Sequence, residues 1–321
     1  MNKDLIIWRL IITSLKQNTP VMLLYVLESK GSSPGRQGFF MAVNAKGEME
    51  GSIGGGIMEH KFVEMAKKRL REQEGKEQEI RKQHHDKSAA KSQSGMICSG
   101  EQTIILYPVK QTDSVIIHNI ISSLEQNKNG TLHLSPSGVN FSTTEPEKDF
   151  QFAMQSEDDW EYAEKTGYKN HLFIIGGGHC ALAFSKLMRS MDFYIRVYDE
   201  RKELKTMVEN NAVHEIFYIE DYWQLNELIP SGYNHYVVIM TFGYRSDDAA
   251  LRALMNKDFR YLGLLGSANK IRKMFDGYHK EGISETLLQQ VHAPVGLTIK
   301  SQTPEEIAVS IAAEIIQIKN Q

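Results

Sequence analysis

Cysteine is scarce: Cys98 and Cys180 are the only two in 321 residues. That number excludes a disulfide framework, and neither number nor spacing suits a zinc or iron–sulfur site, so a reducing cytoplasm fits best. An excess of charge of one sign is missing too, with 37 Lys and Arg against 40 Asp and Glu for a net charge of −3. No extended basic cluster with interleaved aromatics is present, which argues against nucleic acid as the main partner. No apolar run reaches membrane-spanning length. The opening MNKDLIIWRLIITSLKQ has an apolar stripe at helical spacing, but Asp4, Arg9 and the want of a small-residue cleavage site make it a poor signal peptide and predict a packed helix. His84, His85 and Asp86 have the chemistry of metal ligands, yet they stand in a charged run that reads as a solvated loop, and no metal site is expected.

Glycine, by contrast, is dense in two places. Gly51, Gly54, Gly55 and Gly56 precede a helical pattern that opens near Met58. Four glycines in six residues suggest positive φ angles or a ligand pressed against bare main chain, and free amides at a helix start attract anions. A tight strand-to-helix connection is the plainer alternative. Just upstream lies residues 31–38, GSSPGRQG, where Ser33 and Arg36 are candidates; the Arg36 guanidinium could clamp phosphate or pterin oxygens. Glu59 is a further candidate, although an acid in the first turn of a helix is stabilising on its own.

The second dense site is Gly176-x-Gly178-x-x-Ala181, preceded by a buried apolar strand and followed by a helix, with a second strand ending in Asp199. This is the context of the dinucleotide fingerprint. Gly176 would make the sharp turn, Gly178 would let a pyrophosphate approach, and His179 could donate to a phosphate. Asp199 could accept hydrogen bonds from ribose hydroxyls, and an acid there disfavours a 2′-phosphate. Cys180 lies at the helix start, where packing is its simpler role. Strands then continue at residues 213–219, 236–241 and 261–265, and Gly266 and Ser267 mark another strand-to-helix turn. In such sheets ligands bind outside the carboxyl ends of the strands.

The chain thus reads as α/β, with an N-terminal α+β domain over residues 1–165 and a Rossmann-like parallel sheet domain over 166–321. The polar stretch EQEGKEQEIRKQHHDKSAAKSQS predicts a mobile loop near 72–95. At 41% hydrophobic residues, both cores can be built. Thr303-Pro304-Glu305-Glu306 is a good helix start, with a capping hydroxyl, proline at the first position and acids in the first turn.

Several blocks in order, GSSPGRQGFFM, GSIGGGIME, MICSG, IIGGGHCA with YDER, YLGLLGS and the tail PVGLTIKSQTPEE, resemble the XdhC/CoxI family, accessory proteins of molybdenum hydroxylases such as xanthine dehydrogenase. The resemblance implies a chaperone that binds the molybdenum cofactor (molybdopterin), supports its sulfuration and delivers it to the apo-hydroxylase. A cysteine desulfurase is the implied sulfur source. It also implies site work for Cys98, whose thiolate could ligate molybdenum or carry sulfur, where the family commonly has Cys-Gly-Gly and this chain has Ser99 as the second residue; a small apolar core residue entering a strand is the alternative reading of Cys98. Phe242 stands where family members frequently carry histidine, so no proton transfer can be assigned there. A nucleotide or NAD in the Rossmann crevice is a further expectation. An NAD-dependent oxidoreductase and a ligand-free docking subunit remain the alternative readings, catalysis itself stays uncertain, and a homodimer is expected.

Overall fold

A computed structural model of the chain describes residues 3–72, 77–84 and 100–321. The chain divides into two compact units, residues 1–167 and 168–321.

In the first unit, helix α1 (Lys3–Lys16) is followed by strands β1 (Val21–Gly31), β2 (Phe40–Asn44) and β3 (Met49–Gly51), helix α2 (Gly56–Glu72), and strands β4 (Glu79–His84) and β5 (Gly100–Pro108). These strands form an antiparallel sheet in the order β3-β2-β1-β5-β4. The near-continuous apolar run of β1 follows from burial on both faces. Val21, Leu23, Tyr25 and Leu27 point to one core with α1, while Met22, Leu24 and Val26 point to another with Met58, Phe62, Val63 and Ala66 of α2. Helix α3 (Ser114–Glu125) and strands β6 (Gly130–Ser135), β7 (Gly138–Ser142), β8 (Phe150–Ser156) and β9 (Asp159–Thr166) complete the unit, the four strands forming a second antiparallel sheet in the order β7-β6-β9-β8.

Strand β4 corrects the expected mobile loop over 72–95. Glu79–His84 pair with β5 along their whole length although only Ile80 among them is large and apolar. An edge strand is held by its ladder of backbone hydrogen bonds and leaves its polar side chains in water, so it lacks the apolar signature. Residues 73–76 and 85–99 lie outside the described residues.

The second unit holds strands β10 (Asn170–Ile175), β11 (Phe193–Asp199), β12 (Glu215–Tyr218), β13 (Gly232–Ile239), β14 (Phe259–Leu264) and β15 (Val291–His292). All pair in parallel, in the order β12-β11-β10-β13-β14-β15. Helix α4 (His179–Arg189) follows β10, and short helices α5 (Lys205–Val208) and α6 (Leu225–Leu228) precede and follow β12. Helix α7 (Tyr244–Leu254) follows β13, helices α8 (Ala268–Lys280) and α9 (Glu285–Leu288) follow β14, and α10 (Pro304–Lys319) ends the unit. Leu172 and Ile174 pack with α4 and α10 on one face, and Phe173 and Ile175 with α7 and α8 on the other. Alternation along one buried strand therefore builds both layers of a doubly wound Rossmann domain. The order reverses between β10 and β13, which opens a crevice at their carboxyl ends. Helix α10 starts on a capping box: Thr303 Oγ1 accepts from Glu306 N–H, and the Glu306 carboxylate accepts from Thr303 N–H, each at 3.2 Å.

Candidate functional site

In the first unit the two glycine loops, residues 31–37 and 52–56, meet. Gln102, buried on β5, donates from Nε2 to the Gly35 carbonyl at 2.8 Å and to the Ile53 carbonyl at 3.4 Å, clamping one loop to the other. The approach is so close that a Cβ on Gly35 would lie 2.0 Å from the Ile53 oxygen. Gly54, Gly55 and Gly56 have φ of 128°, 73° and 67°, and the space beside Gly55 is open. Ser33 is buried and donates to the Gly35 carbonyl at 3.1 Å, whereas Arg36 is exposed and donates from Nη1 to the Gly31 carbonyl at 3.2 Å.

Glu59 turns the start of α2 into a satisfied anion cradle. Its Oε2 accepts from Ser52 Oγ at 2.6 Å and from the amides of Ile53 and Gly55 at 2.9 Å each. Partial burial by itself would raise its pKa, but hydrogen bonds from Ser52 and from the Gly55, Ile53 and Gly54 amides outweigh that and hold the carboxyl below its ordinary value. A built-in carboxylate thus sits where a free anion would bind. Cys98, His85 and Asp86 fall outside the described residues, as does the His84 side chain. Gln102 and Ser52 went unmarked in the sequence because a polar residue inside a strand or turn carries no pattern.

In the second unit, Gly176 (φ 107°) ends β10 so close to β13 that a Cβ would lie 2.4 Å from the Met240 oxygen. Gly178 is the N-cap of α4 with open space beside it, and His179 is exposed. Ala181 is fully buried in the helix layer. Cys180 is half-buried, and burial followed by the charge of Glu305 raises its thiol pKa, which disfavours thiolate. Gly266 and Ser267 lead into α8, where Ser267 Oγ accepts from Lys270 N–H at 3.3 Å.

Asp199 is fully buried, and both its oxygens are engaged. Oδ1 accepts from Arg201 N–H at 2.9 Å and Arg201 Nε at 2.8 Å; Oδ2 accepts from Gly177 N–H at 2.7 Å and Arg201 Nη2 at 2.6 Å. Asp247, also fully buried, accepts from Thr241 N–H at 3.1 Å and Thr241 Oγ1 at 2.6 Å, and pairs with Lys270. Asp199, at the end of β11, and Asp247, in the first turn of α7 after β13, are thus each locked by a backbone amide and a cation. Arg201 was legible only as a charged residue after Asp199, and Lys270 only as one near the glycine turn at Gly266. Among the described residues no cluster of three or more His, Cys, Asp or Glu could hold a metal ion, and no helix is long and apolar enough to cross a membrane.

The same regions match known families. The XdhC and CoxI family model covers residues 14–81, which include both N-terminal glycine loops, and the XdhC Rossmann domain model covers residues 172–315. The chain belongs to the XdhC and CoxI family. It is 25% identical over 305 residues, 95% of its length, to the uncharacterized protein YqeB of Escherichia coli, and 38% identical over 84 residues, 26% of its length, to a protein of Bacillus subtilis named as a probable subunit of xanthine dehydrogenase. Those alignments span 44% and 23% of the relatives' own lengths. A solved structure from Bacillus halodurans, named a xanthine dehydrogenase, superposes with a TM-score of 0.70 at 22% identity, covering 98% of this chain and 96% of that one. The likeness establishes a common fold.

Proposed function

We propose that this XdhC and CoxI family member is an accessory protein of a molybdenum hydroxylase, one that binds the molybdenum cofactor, supports its sulfuration by a cysteine desulfurase and inserts it into the apo-enzyme. The observation that carries this reading is the meeting of two clamped glycine loops beside an exposed arginine, inside the region that the family model matches. The relative from Bacillus subtilis, whose name ties it to xanthine dehydrogenase, points to the client class.

The residues present fit the anionic end of such a cofactor in part. The open face at Gly55 and the exposed Arg36 guanidinium suit a phosphate. The amides of Ile53 and Gly55 do not, because Glu59 holds them. In this reading Arg36 is the main grip on the phosphate, the loop around Gly54 and Gly56 lets the ligand approach the main chain, and Glu59 keeps the loop in shape. When bound, the cofactor supplies a pterin dithiolene carrying molybdenum, and Cys98 is the thiol assigned to meet it.

Anaerobic equilibrium binding of the molybdenum cofactor to the full chain tests this. Binding should weaken roughly tenfold or more in Arg36→Ala, the loss of one charge-assisted contact, and again in Cys98→Ala. Absence of binding by the wild-type chain would sink the reading, and so would variants that bind as tightly as the wild type.

A further inference from the structure

In the second unit, the acid that the sequence marks for a ribose hydroxyl is already engaged by its own chain. In a dinucleotide laid across this fold, the pyrophosphate sits on the glycine loop after β10 and the adenosine ribose reaches the end of β11, where an acid takes the 2′-hydroxyl or a nearby arginine takes a 2′-phosphate. The acid here is Asp199, and the structure withdraws it from that task. It has no exposed surface, and its two oxygens already accept from Gly177 N–H and from the backbone and side chain of Arg201. A ribose hydroxyl would find no free lone pair facing the crevice.

What faces the crevice is Arg201 itself, with its side chain 34% exposed. Its Nε–H and one Nη2–H go to Asp199, and the Nη1 donors and the second Nη2 donor lie outside that pair. Asp199 also fixes the plane of the fork, so its outer edge is held ready for a second anion. The guanidinium lies over the Phe242 ring, 4.7 Å from its centroid, and Phe242 is 63% exposed. Because β11 and β13 flank β10, this stacked pair meets across the carboxyl end of β10, beside the glycine loop. Beside the pair, the buried Tyr222 hydroxyl has no hydrogen-bond partner among the described residues.

We infer that the second unit binds a nucleotide whose ribose carries a 2′-phosphate, the adenosine end of NADP(H), with Arg201 gripping the phosphate and Phe242 holding the arginine flat. Asp199 is then the positioning residue that aims Arg201. The inference does not rest on the molybdenum cofactor reading, since it concerns a separate unit and a separate ligand.

Isothermal titration of the full chain with NADP⁺ and NAD⁺ as probes, and with 2′,5′-ADP and 5′-AMP as their shorter counterparts, tests it. NADP⁺ should bind about tenfold or more tightly than NAD⁺, the margin of a bidentate charge-assisted contact, and 2′,5′-ADP should beat 5′-AMP in the same way. Arg201→Ala should erase the preference. Should that variant not fold, Arg201→Lys, which keeps the charge and loses the fork, should show a reduced preference in folded protein. Equal binding of the two dinucleotides, tighter binding of NAD⁺, binding of neither, or an undiminished preference in Arg201→Lys would each overturn the inference.

Discussion

Arg201 holds Asp199 by two prongs, Nε to Oδ1 at 2.8 Å and Nη2 to Oδ2 at 2.6 Å, around a carboxylate that water does not reach. With the Gly177 amide on the same carboxylate, the pair ties the end of β11 to the glycine loop after β10. Stability at this point therefore depends on the same atoms as the proposed grip on a 2′-phosphate.

Removing that carboxylate should be costly. Asp199→Ala leaves the Gly177 amide and the inner edge of Arg201 without their acceptor, and a loss of about 2–4 kcal/mol is expected in urea unfolding. The pH dependence follows in sign. Burial alone would raise the Asp199 pKa, but hydrogen bonds from Arg201 and Gly177 bring it below its ordinary value of 3.8. A carboxyl lowered on folding stabilises fully above its unfolded pKa and loses that contribution as pH falls through the folded one. Wild-type stability should thus drop below about pH 4, and the drop should shrink in Asp199→Asn.

The glycines of the second unit should separate into two kinds. Gly176→Ala puts a Cβ 2.4 Å from the Met240 oxygen at a φ of 107°, and should destabilise by about 3 kcal/mol or more. Gly178 has a φ of −72° and open space around it, so Gly178→Ala should leave thermal unfolding within about 0.5 kcal/mol of wild type. If Gly178→Ala instead unfolds the protein, its glycine serves packing and not a ligand's approach.

The contrast between those two glycines shows what a sequence can carry. The apolar runs of β1 and β10, the glycine turns and the Thr303 helix start are local patterns, so the Rossmann layers and most elements could be placed from them. Strand β4 could not, because edge pairing leaves no apolar period. Nor could the state of Asp199: its spacing marked the ribose acid, but Arg201, two residues on, turns back onto it, and only the folded geometry shows that. Gln102 is the same case, a polar residue in an apolar strand whose two carbonyl partners lie 67 and 49 residues away.

His214 should give the second unit an acid-sensitive step above the carboxylate range. Its Nδ1 accepts from the Ile195 amide at 2.9 Å, and its Nε2 lies 2.7 Å from the Tyr168 hydroxyl and against Arg189. Burial, followed by the Arg189 charge, pushes its pKa from 6.5 down to about 3. The unfolded chain therefore takes up this proton first, so stability should decline as pH falls from 6.5 towards 3 and be unaffected by it above 6.5. A His214→Asn variant, melted across that range, should lack the decline; a wild-type curve flat from pH 6.5 to 4.5 would refute the assignment.

In the first unit one carboxylate oxygen joins two sheets. Glu164 Oε2, on β9, accepts from Tyr25 of β1 at 2.5 Å and from Tyr162 of β9 at 2.6 Å, and all three residues are buried. Burial and the Glu164 charge push both phenols well above their ordinary pKa, so they stay protonated donors across the physiological range. Either phenol can keep the oxygen hydrogen-bonded when the other is lost, so Tyr25→Phe or Tyr162→Phe alone should cost only about 1 kcal/mol. Together they leave a buried charge with both of these donors gone, and the double variant should exceed the sum of the singles by about 1–3 kcal/mol in a double-mutant cycle. Glu164→Gln, which removes the charge and keeps an acceptor, should shrink that excess. Additivity within about 0.5 kcal/mol would mean that the two hydroxyls pack around Glu164 without sharing its charge.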